Sequence, residues 1–190
     1  DAPVLVVKKR IVMKKHILLR GERGVGKSTL IRRLLEASDL QPGGFYTKMD
    51  KTPGELMHPI YIYPAALPEA ARKRGEENLV GRCGEQGRFK EIFPNVFDTL
   101  GSAYLQDTAA CRVIVMDELG FLESEAQAFQ AAVLGVLDGE VPVLAAVKDR
   151  MDVPFLHQVC AHPRAEVVPI DTQNRDALFH RLLPIVKSWK

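Results

Sequence analysis

The stretch "HILLRGERGVGKSTLIRRLLEAS", residues His16 to Ser38, decides the fold of this chain. A short apolar run comes first, a glycine-rich loop follows, and leucine and isoleucine then occupy positions 30, 31, 34 and 35. Apolar residues three and four positions apart lie on one face of a helix. The stretch therefore predicts a strand, a loop and then a helix from about Lys27 to Ser38.

The loop has the spacing of a phosphate-binding loop, GxxxxGK[ST]. Its glycines let the backbone curl so that amide hydrogens point at phosphate oxygens, and the positive end of the following helix adds to the attraction. We expect Lys27 to reach the β and γ phosphates and the Ser28 hydroxyl to bind Mg²⁺. The candidate nucleotide-binding residues form one run: Gly21, Glu22, Arg23, Gly24, Val25, Gly26, Lys27, Ser28 and Thr29.

A second motif, "RVIVMDELG", lies later in the chain and consists of an apolar run followed by two acidic residues. A magnesium ion on a nucleotide needs a carboxylate held at the end of a rigid strand, and Asp117 has that position. The next residue, Glu118, is placed to orient or deprotonate an attacking water. "DELG" also fits the DxxG of GTP-binding switches, but no NKxD element follows, so a guanine-specific switch is disfavoured.

Stabilising a departing γ-phosphate usually takes one more cation. Lys148 and Arg150 follow the apolar run "VPVLAAV", at a strand end that would face the nucleotide. Arg175 and Arg82 are alternatives elsewhere in the chain. We take Arg150 as the catalytic candidate, and the sequence alone leaves the other three open.

The rest of the chain alternates apolar strands with amphipathic helices from residue 93 onward. This alternation predicts an α/β fold, with a parallel sheet covered by helices on both faces. Residues 1–190 are expected to form a single domain, in which 51–91 are an irregular inserted hairpin or lid. Met13 precedes the first strand directly, so residues 1–12 are interpreted either as an extension or as native sequence.

Composition excludes several classes of protein. The chain has 190 residues, 46% hydrophobic and 26% charged, with a net charge of +2 from 26 basic and 24 acidic side chains. That balance is typical of a folded globular protein and makes nucleic acid an unlikely partner. No apolar run is long enough to predict a membrane helix. Three scattered cysteines without a CxxC pair predict reduced thiols and a cytoplasmic location.

Four stretches in order along the chain resemble one family, the small nucleoside-triphosphatases first described from thermophiles, which include the human cancer-related nucleoside triphosphatase. "GERGVGKSTLI" resembles the family's GxxGxGKTTL, "GGFYT" its GFYT, "VIVMDELGFLE" its IDEIGKME and "NRDAL" its NRxxL. The chain departs from the family in having Phe121 where a lysine is usual, and Glu22 and Arg23 where the loop usually contains a proline.

The resemblance implies a RecA-like sheet of the additional-strand class and Mg²⁺-dependent hydrolysis of nucleoside triphosphates, ATP, GTP, CTP and UTP among them. It places the loop role on residues 21–29, the magnesium role on Asp117 and the base role on Glu118, and it leaves Glu123 without an assigned role. Two alternatives stay open. One is a nucleotide or small-molecule kinase, and the other is a nucleotide-binding switch or adaptor with negligible turnover.

Overall fold

The structure is a computed structural model that describes residues 13–84, 90–108 and 110–190. Segment 1–12, which the sequence left as either an extension or native chain, lies outside the described residues. The strands are β1 (His16–Gly21), β2 (Pro42–Met49), β3 (Met57–Pro64), β4 (Leu79–Gly84), β5 (Lys90–Ile92), β6 (Val113–Leu119), β7 (Val143–Lys148) and β8 (Ala165–Pro169). The α-helices are α1 (Lys27–Ser38), α2 (Pro94–Val96), α3 (Ser102–Gln106), α4 (Gln127–Asp138), α5 (Pro154–Cys160) and α6 (Arg175–Lys187).

The described strands form one sheet in the order β5-β4-β3-β2-β6-β7-β1-β8. The five strands from β2 to β8 in this order are parallel, whereas β3, β4 and β5 pair antiparallel at one side. Strand β7 lies between β1, which precedes the glycine-rich loop, and β6, which carries the acidic pair. This inserted strand defines the additional-strand class, so the predicted fold class is confirmed.

Helices cover both faces of the sheet, as predicted. Helices α1 and α6 pack on one face through leucines such as Leu34 and Leu182. Helices α3, α4 and α5 pack on the other face, where Phe129 contacts the rings of Phe45 and Phe97. Strands β1, β6 and β7 are buried on both sides, which explains why their sequences are continuous apolar runs rather than alternating ones.

The described residues of segment 51–91 extend the sheet. The stretch "MHPIYIYPA" has an apolar pattern typical of a strand and forms β3, but β4 and the start of β5 could not be predicted, because glycine and charged residues interrupt their apolar pattern. Residues 85–89, part of the same predicted lid, lie outside the described residues. The antiparallel extension places β3 directly beside β2.

The stretch "VFDTLGSAYLQDTA", residues 96–109, has the pattern of one helix, but the element observed there is interrupted. The structure has α2, a π-helical turn at Phe97–Gly101 and then α3, which ends at Gln106. A Cβ on Gly101 would press against the ring of Phe129, so the glycine lets this turn approach α4. The Asp98 carboxylate accepts the backbone N–H of Phe129 at 2.9 Å, which fixes α4 against the turn.

Gly44 sets the contact between β2 and β6. Its φ of +90° lies in the left-handed region, and a Cβ there would overlap the carbonyl group of Val115. The close approach keeps β2 in register with β6, so that Tyr46 pairs with Asp117. Strand β2 therefore reaches the acidic end of β6.

Among the described residues, no helix combines the length and the apolar character needed to cross a bilayer.

Candidate active site

The glycine-rich loop joins the end of β1 to the start of α1. Gly24 and Gly26 have φ values of +80° and +106°, which residues with a side chain adopt only with strain. Gly26 is the N-cap of α1, and no side chain of the described residues caps this end of the helix. The first amide groups of α1 therefore remain free to bind an anion.

Lys27 is buried, with 5% of its surface exposed. Its ammonium group donates to the carbonyl oxygens of Gly21 at 2.6 Å and Glu22 at 2.7 Å. It also lies 3.5 Å from the Glu118 carboxylate. The ammonium group thus lies inside the curve of the loop, where the phosphate-loop pattern predicts it.

Ser28 and Asp117 meet although 89 positions separate them: the Ser28 hydroxyl donates to Asp117 Oδ1 at 2.9 Å. Burial raises the pKa of Asp117 to about 6. The Ser28 hydrogen bond and the positive charges of Lys27 and Arg72 oppose that rise, and the charge of Glu118 adds to it. A hydroxyl and a carboxylate beside a phosphate loop are hard oxygen ligands, so this pair fits Mg²⁺ rather than a softer metal.

Thr47 on β2 holds the end of β6. Its hydroxyl donates to the carbonyl oxygen of Asp117 at 3.3 Å and accepts the backbone N–H of Glu118 at 3.2 Å. These bonds flank the Asp117–Glu118 peptide bond, which is cis. Thr47 was not predicted as a site residue, although the "GGFYT" stretch that contains it was the available signal.

Glu118 lies between two ammonium groups. One carboxylate oxygen is 3.5 Å from Lys27 Nζ, and the other is 3.4 Å from Lys148 Nζ. Its side chain is 26% exposed, so water reaches it. The arrangement supplies an accessible carboxylate, held at a fixed place beside the loop by two positive charges.

Glu123 is a buried carboxylate close behind this site, with 1% of its surface exposed. It accepts the backbone N–H of Gly120 at 2.7 Å and so fixes the turn that follows β6. Burial raises the pKa of Glu123 to about 7, although the Gly120 hydrogen bond and the charge of Lys148 oppose the rise. The side chain therefore fixes the backbone two residues after Glu118.

Replacing Glu123 by Gln is expected to make the chain more stable at alkaline pH. In the folded chain the pKa of Glu123 is about 7, above its ordinary value of 4.5. The protonated side chain therefore favours folding fully below pH 4.5, and this contribution to the free energy of unfolding is lost as the pH rises through 7. Gln keeps an oxygen for the Gly120 N–H but has no charge to bury. The gain in the free energy of unfolding of Glu123→Gln over the parental chain should approach zero at pH 4.5 and reach on the order of 3 kcal/mol above pH 7.

Thermal unfolding of Glu123→Gln and the parental chain at several pH values measures this difference. Glu125→Gln, an exposed change in the same turn, is the matched control and should leave the unfolding temperature unchanged at every pH. A difference for Glu123→Gln that stays constant from pH 4.5 to 8 would contradict the prediction.

Arg150, the predicted catalytic cation, forms a pair of hydrogen bonds of 2.8 Å with the carboxylate of Asp152. None of the hydrogen bonds or ion pairs of the described residues joins Arg150 to the loop or to Glu118. Lys148, the alternative on the same strand end, is the residue that contacts Glu118. The other two alternatives differ: Arg82 pairs with Glu91, away from the loop, whereas Arg175 contacts the loop itself through the Val25 carbonyl, on the side that faces α6.

A pocket of about 200 Å³ opens beside Glu118. Its lining combines polar side chains, Arg23, Thr47 and Lys148 among them, with apolar ones such as Met49 and Phe121. A second cleft, of about 240 Å³, lies along α1 and α6 and is lined by Gly26, Thr29, Leu30, Arg33, Arg175 and Asp176. The loop therefore has open space on both sides.

Comparisons with known proteins agree with this geometry. The family model described as NTPase matches residues 16–183. The nucleoside-triphosphatase THEP1 of Thermotoga petrophila is 29% identical over 177 residues, which cover 90% of this chain and 92% of that protein. The nucleoside-triphosphatase THEP1 of Methanosarcina barkeri is 28% identical over 177 residues, covering 86% and 92%.

Two solved structures share the fold. The crystal structure of THEP1 from Aquifex aeolicus has a TM-score of 0.68 and 21% identity, and the match covers 90% of this chain and 99% of that one. The solution structure of a human cancer-related nucleoside triphosphatase also has a TM-score of 0.68, with 22% identity and coverage of 93% and 99%.

Proposed function

The chain belongs to the NTPase family and is a nucleoside-triphosphatase, and on that premise we propose that it hydrolyses ATP, GTP, CTP and UTP to the diphosphate and phosphate with Mg²⁺. One observation carries the proposal. The loop ammonium of Lys27, the Ser28–Asp117 pair and the Glu118 carboxylate meet at the ends of β1 and β6. These are the parts that phosphoryl transfer from a nucleotide requires.

Each residue has a role that follows from its position. Lys27 and the amides of residues 21–29 bind the phosphates, and Ser28 and Asp117 hold Mg²⁺, which supplies positive charge to the phosphate oxygens. Glu118 accepts a proton from water as the water oxygen attacks the γ-phosphorus. The bond between that phosphorus and the bridging oxygen then breaks, and its electron pair stays on the diphosphate.

The broad choice of nucleotide rests on the cleft along α1 and α6. Its polar side chains are exposed and already engaged: Arg33 pairs with Asp176 at 3.0 Å, and Arg175 reaches the Val25 carbonyl at 3.5 Å. A site that discriminates between bases needs buried donors and acceptors that a wrong base leaves unpaired. An open, charged cleft of this kind supports weak discrimination between bases.

The pocket beside Glu118 also favours one alternative, a kinase that transfers the γ-phosphoryl group to a small molecule. An acceptor hydroxyl in this pocket would take the place of water beside the carboxylate. In that case the phosphate would appear on the acceptor, and release of free phosphate would be slow. The switch alternative would show bound nucleotide with neither product.

Phosphate release from each of the four nucleoside triphosphates, with Mg²⁺ and with a chelator, tests the proposal. We expect multiple turnovers with all four nucleotides in Mg²⁺ and no turnover in the chelator. The four rates should agree within about tenfold, because a base pocket without buried donors discriminates weakly. Tight binding without release would contradict the proposal and favour the kinase or the switch.

A further inference from the structure

The loop carries its own guanidinium group on Arg23, the third residue of the phosphate-loop pattern. The side chain is exposed, and its Nη2 donates to the sulfur of Met49 on β2 at 3.4 Å. Strands β7 and β6 lie between β1 and β2 in the sheet. The loop and the Arg23 side chain together therefore reach from the end of β1 to the end of β2, and the two strands between them carry Lys148 and Glu118.

Arg23 lines the same pocket as Glu118, Thr47 and Lys148. One side of this pocket is the loop that binds the phosphates, and the other holds the carboxylate that accepts the proton. The γ-phosphate of a bound nucleotide has to lie between them, because the attacking water must contact both the phosphorus and Glu118. The guanidinium group of Arg23 is thus on the side of the loop where the transferred group lies.

The contact that holds Arg23 is weak. A thioether sulfur is a poor hydrogen-bond acceptor compared with a carboxylate. Within the described ranges, no carboxylate lies in ion-pair distance of Arg23, whereas Arg150 is bound to Asp152 and Arg82 to Glu91. A phosphate oxygen would outcompete the Met49 sulfur for Arg23 at little cost, but it would have to displace Asp152 from Arg150.

We propose that Arg23 is the catalytic arginine of this enzyme, supplied by its own loop, and that it donates to the γ-phosphate oxygens during hydrolysis. The inference rests on the function proposed above. As the water oxygen bonds to the γ-phosphorus and the bridging bond breaks, negative charge accumulates on the terminal and bridging oxygens. Arg23 neutralises that charge, while the proton of the water goes to Glu118. No partner protein is required to supply the cation.

Replacing Arg23 by Ala tests the inference, with Arg181→Ala, an exposed arginine on α6 that pairs with Glu166, as the matched control. We expect kcat to fall about 10²-fold or more for Arg23→Ala, as for the loss of a group that binds developing charge. The affinity for a non-hydrolysable triphosphate analogue should change by less than about threefold, because the contact forms mainly in the transition state. Arg23→Lys keeps the charge but loses the bidentate geometry, so its kcat should lie between those of the parental chain and Arg23→Ala.

A binding measurement separates a transition-state role from a structural one. The parental chain and Arg181→Ala should bind ADP with aluminium fluoride, a mimic of the transferred phosphoryl group, and Arg23→Ala should lose this binding while still binding ADP alone. The inference is overturned if Arg23→Ala keeps the parental kcat, or if analogue affinity falls by the same factor as kcat. It is also overturned if Arg150→Ala is the variant that loses turnover.

The two proposals fail in different ways. If the parental chain releases phosphate and Arg23→Ala does so equally well, only the assignment of Arg23 is wrong. If the parental chain releases no phosphate from any of the four nucleotides, the proposed function fails, and the assignment of Arg23 fails with it.

Discussion

Glu118→Gln is expected to retain nucleotide and lose hydrolysis, with kcat lower by about 10²–10⁴-fold, the usual contribution of a general base. The amide has the shape of the carboxylate but cannot take a proton from water. Removing the negative charge beside Lys27 and Lys148 also frees both ammonium groups to attract phosphate. We therefore expect the affinity for a triphosphate to stay equal to that of the parental chain or to rise.

Steady-state phosphate release and calorimetric titration with the nucleotide in Mg²⁺ measure these two effects on the same preparation. Glu125→Gln makes the same chemical change at an exposed position a few residues along the chain and should behave like the parental protein. Hydrolysis by Glu118→Gln at the parental rate would show that another group activates the water. Equal losses of affinity and kcat would show that Glu118 acts in binding instead.

Lys27→Ala is expected to abolish turnover and to weaken triphosphate binding by about 10²-fold or more, as for the removal of one partner of a buried charge contact. The substitution removes the buried ammonium group from the curve of the loop. It also removes the hydrogen bonds to the carbonyl oxygens of Gly21 and Glu22, so the loop loses an internal connection as well as a phosphate contact.

A second variant separates the loss of the ammonium group from the loss of the buried aliphatic stem. Lys27→Met keeps the buried aliphatic stem and lacks the donors, so it should fold with an unfolding temperature close to the parental value and still fail to bind. Lys51→Ala, an exposed change, is the control for loss of one positive charge. Parental affinity in Lys27→Met would contradict the assignment of this lysine to the phosphates.

Local pattern was enough to predict most of the helices and strands. The glycine spacing predicts the loop, the leucine spacing predicts α1, and the apolar run before Asp117 predicts β6, because each pattern depends on neighbours within one element. The pattern failed at β4, β5 and the π-helical turn, where glycine and charged residues are stabilised by strands and helices distant in sequence.

The site residues show the same difference between what local sequence predicts and what it does not. Sequence predicted the loop, Asp117 and Glu118, since motif spacing fixes residue types whose chemistry is already known. It gave no role to Thr47, because that role depends on β2 lying beside β6 with Gly44 in close contact.

By itself, the sequence determined that this chain forms a phosphate loop in an α/β fold, with an acidic pair at the end of a buried strand. Only the tertiary structure decided which charged side chains meet there. Lys148, the last residue of β7, contacts Glu118 on β6, whereas Arg150, two residues further on, contacts Asp152. The reason is physical: strand order and the path of each side chain beyond a strand end are set by packing between distant segments, which residue spacing does not encode.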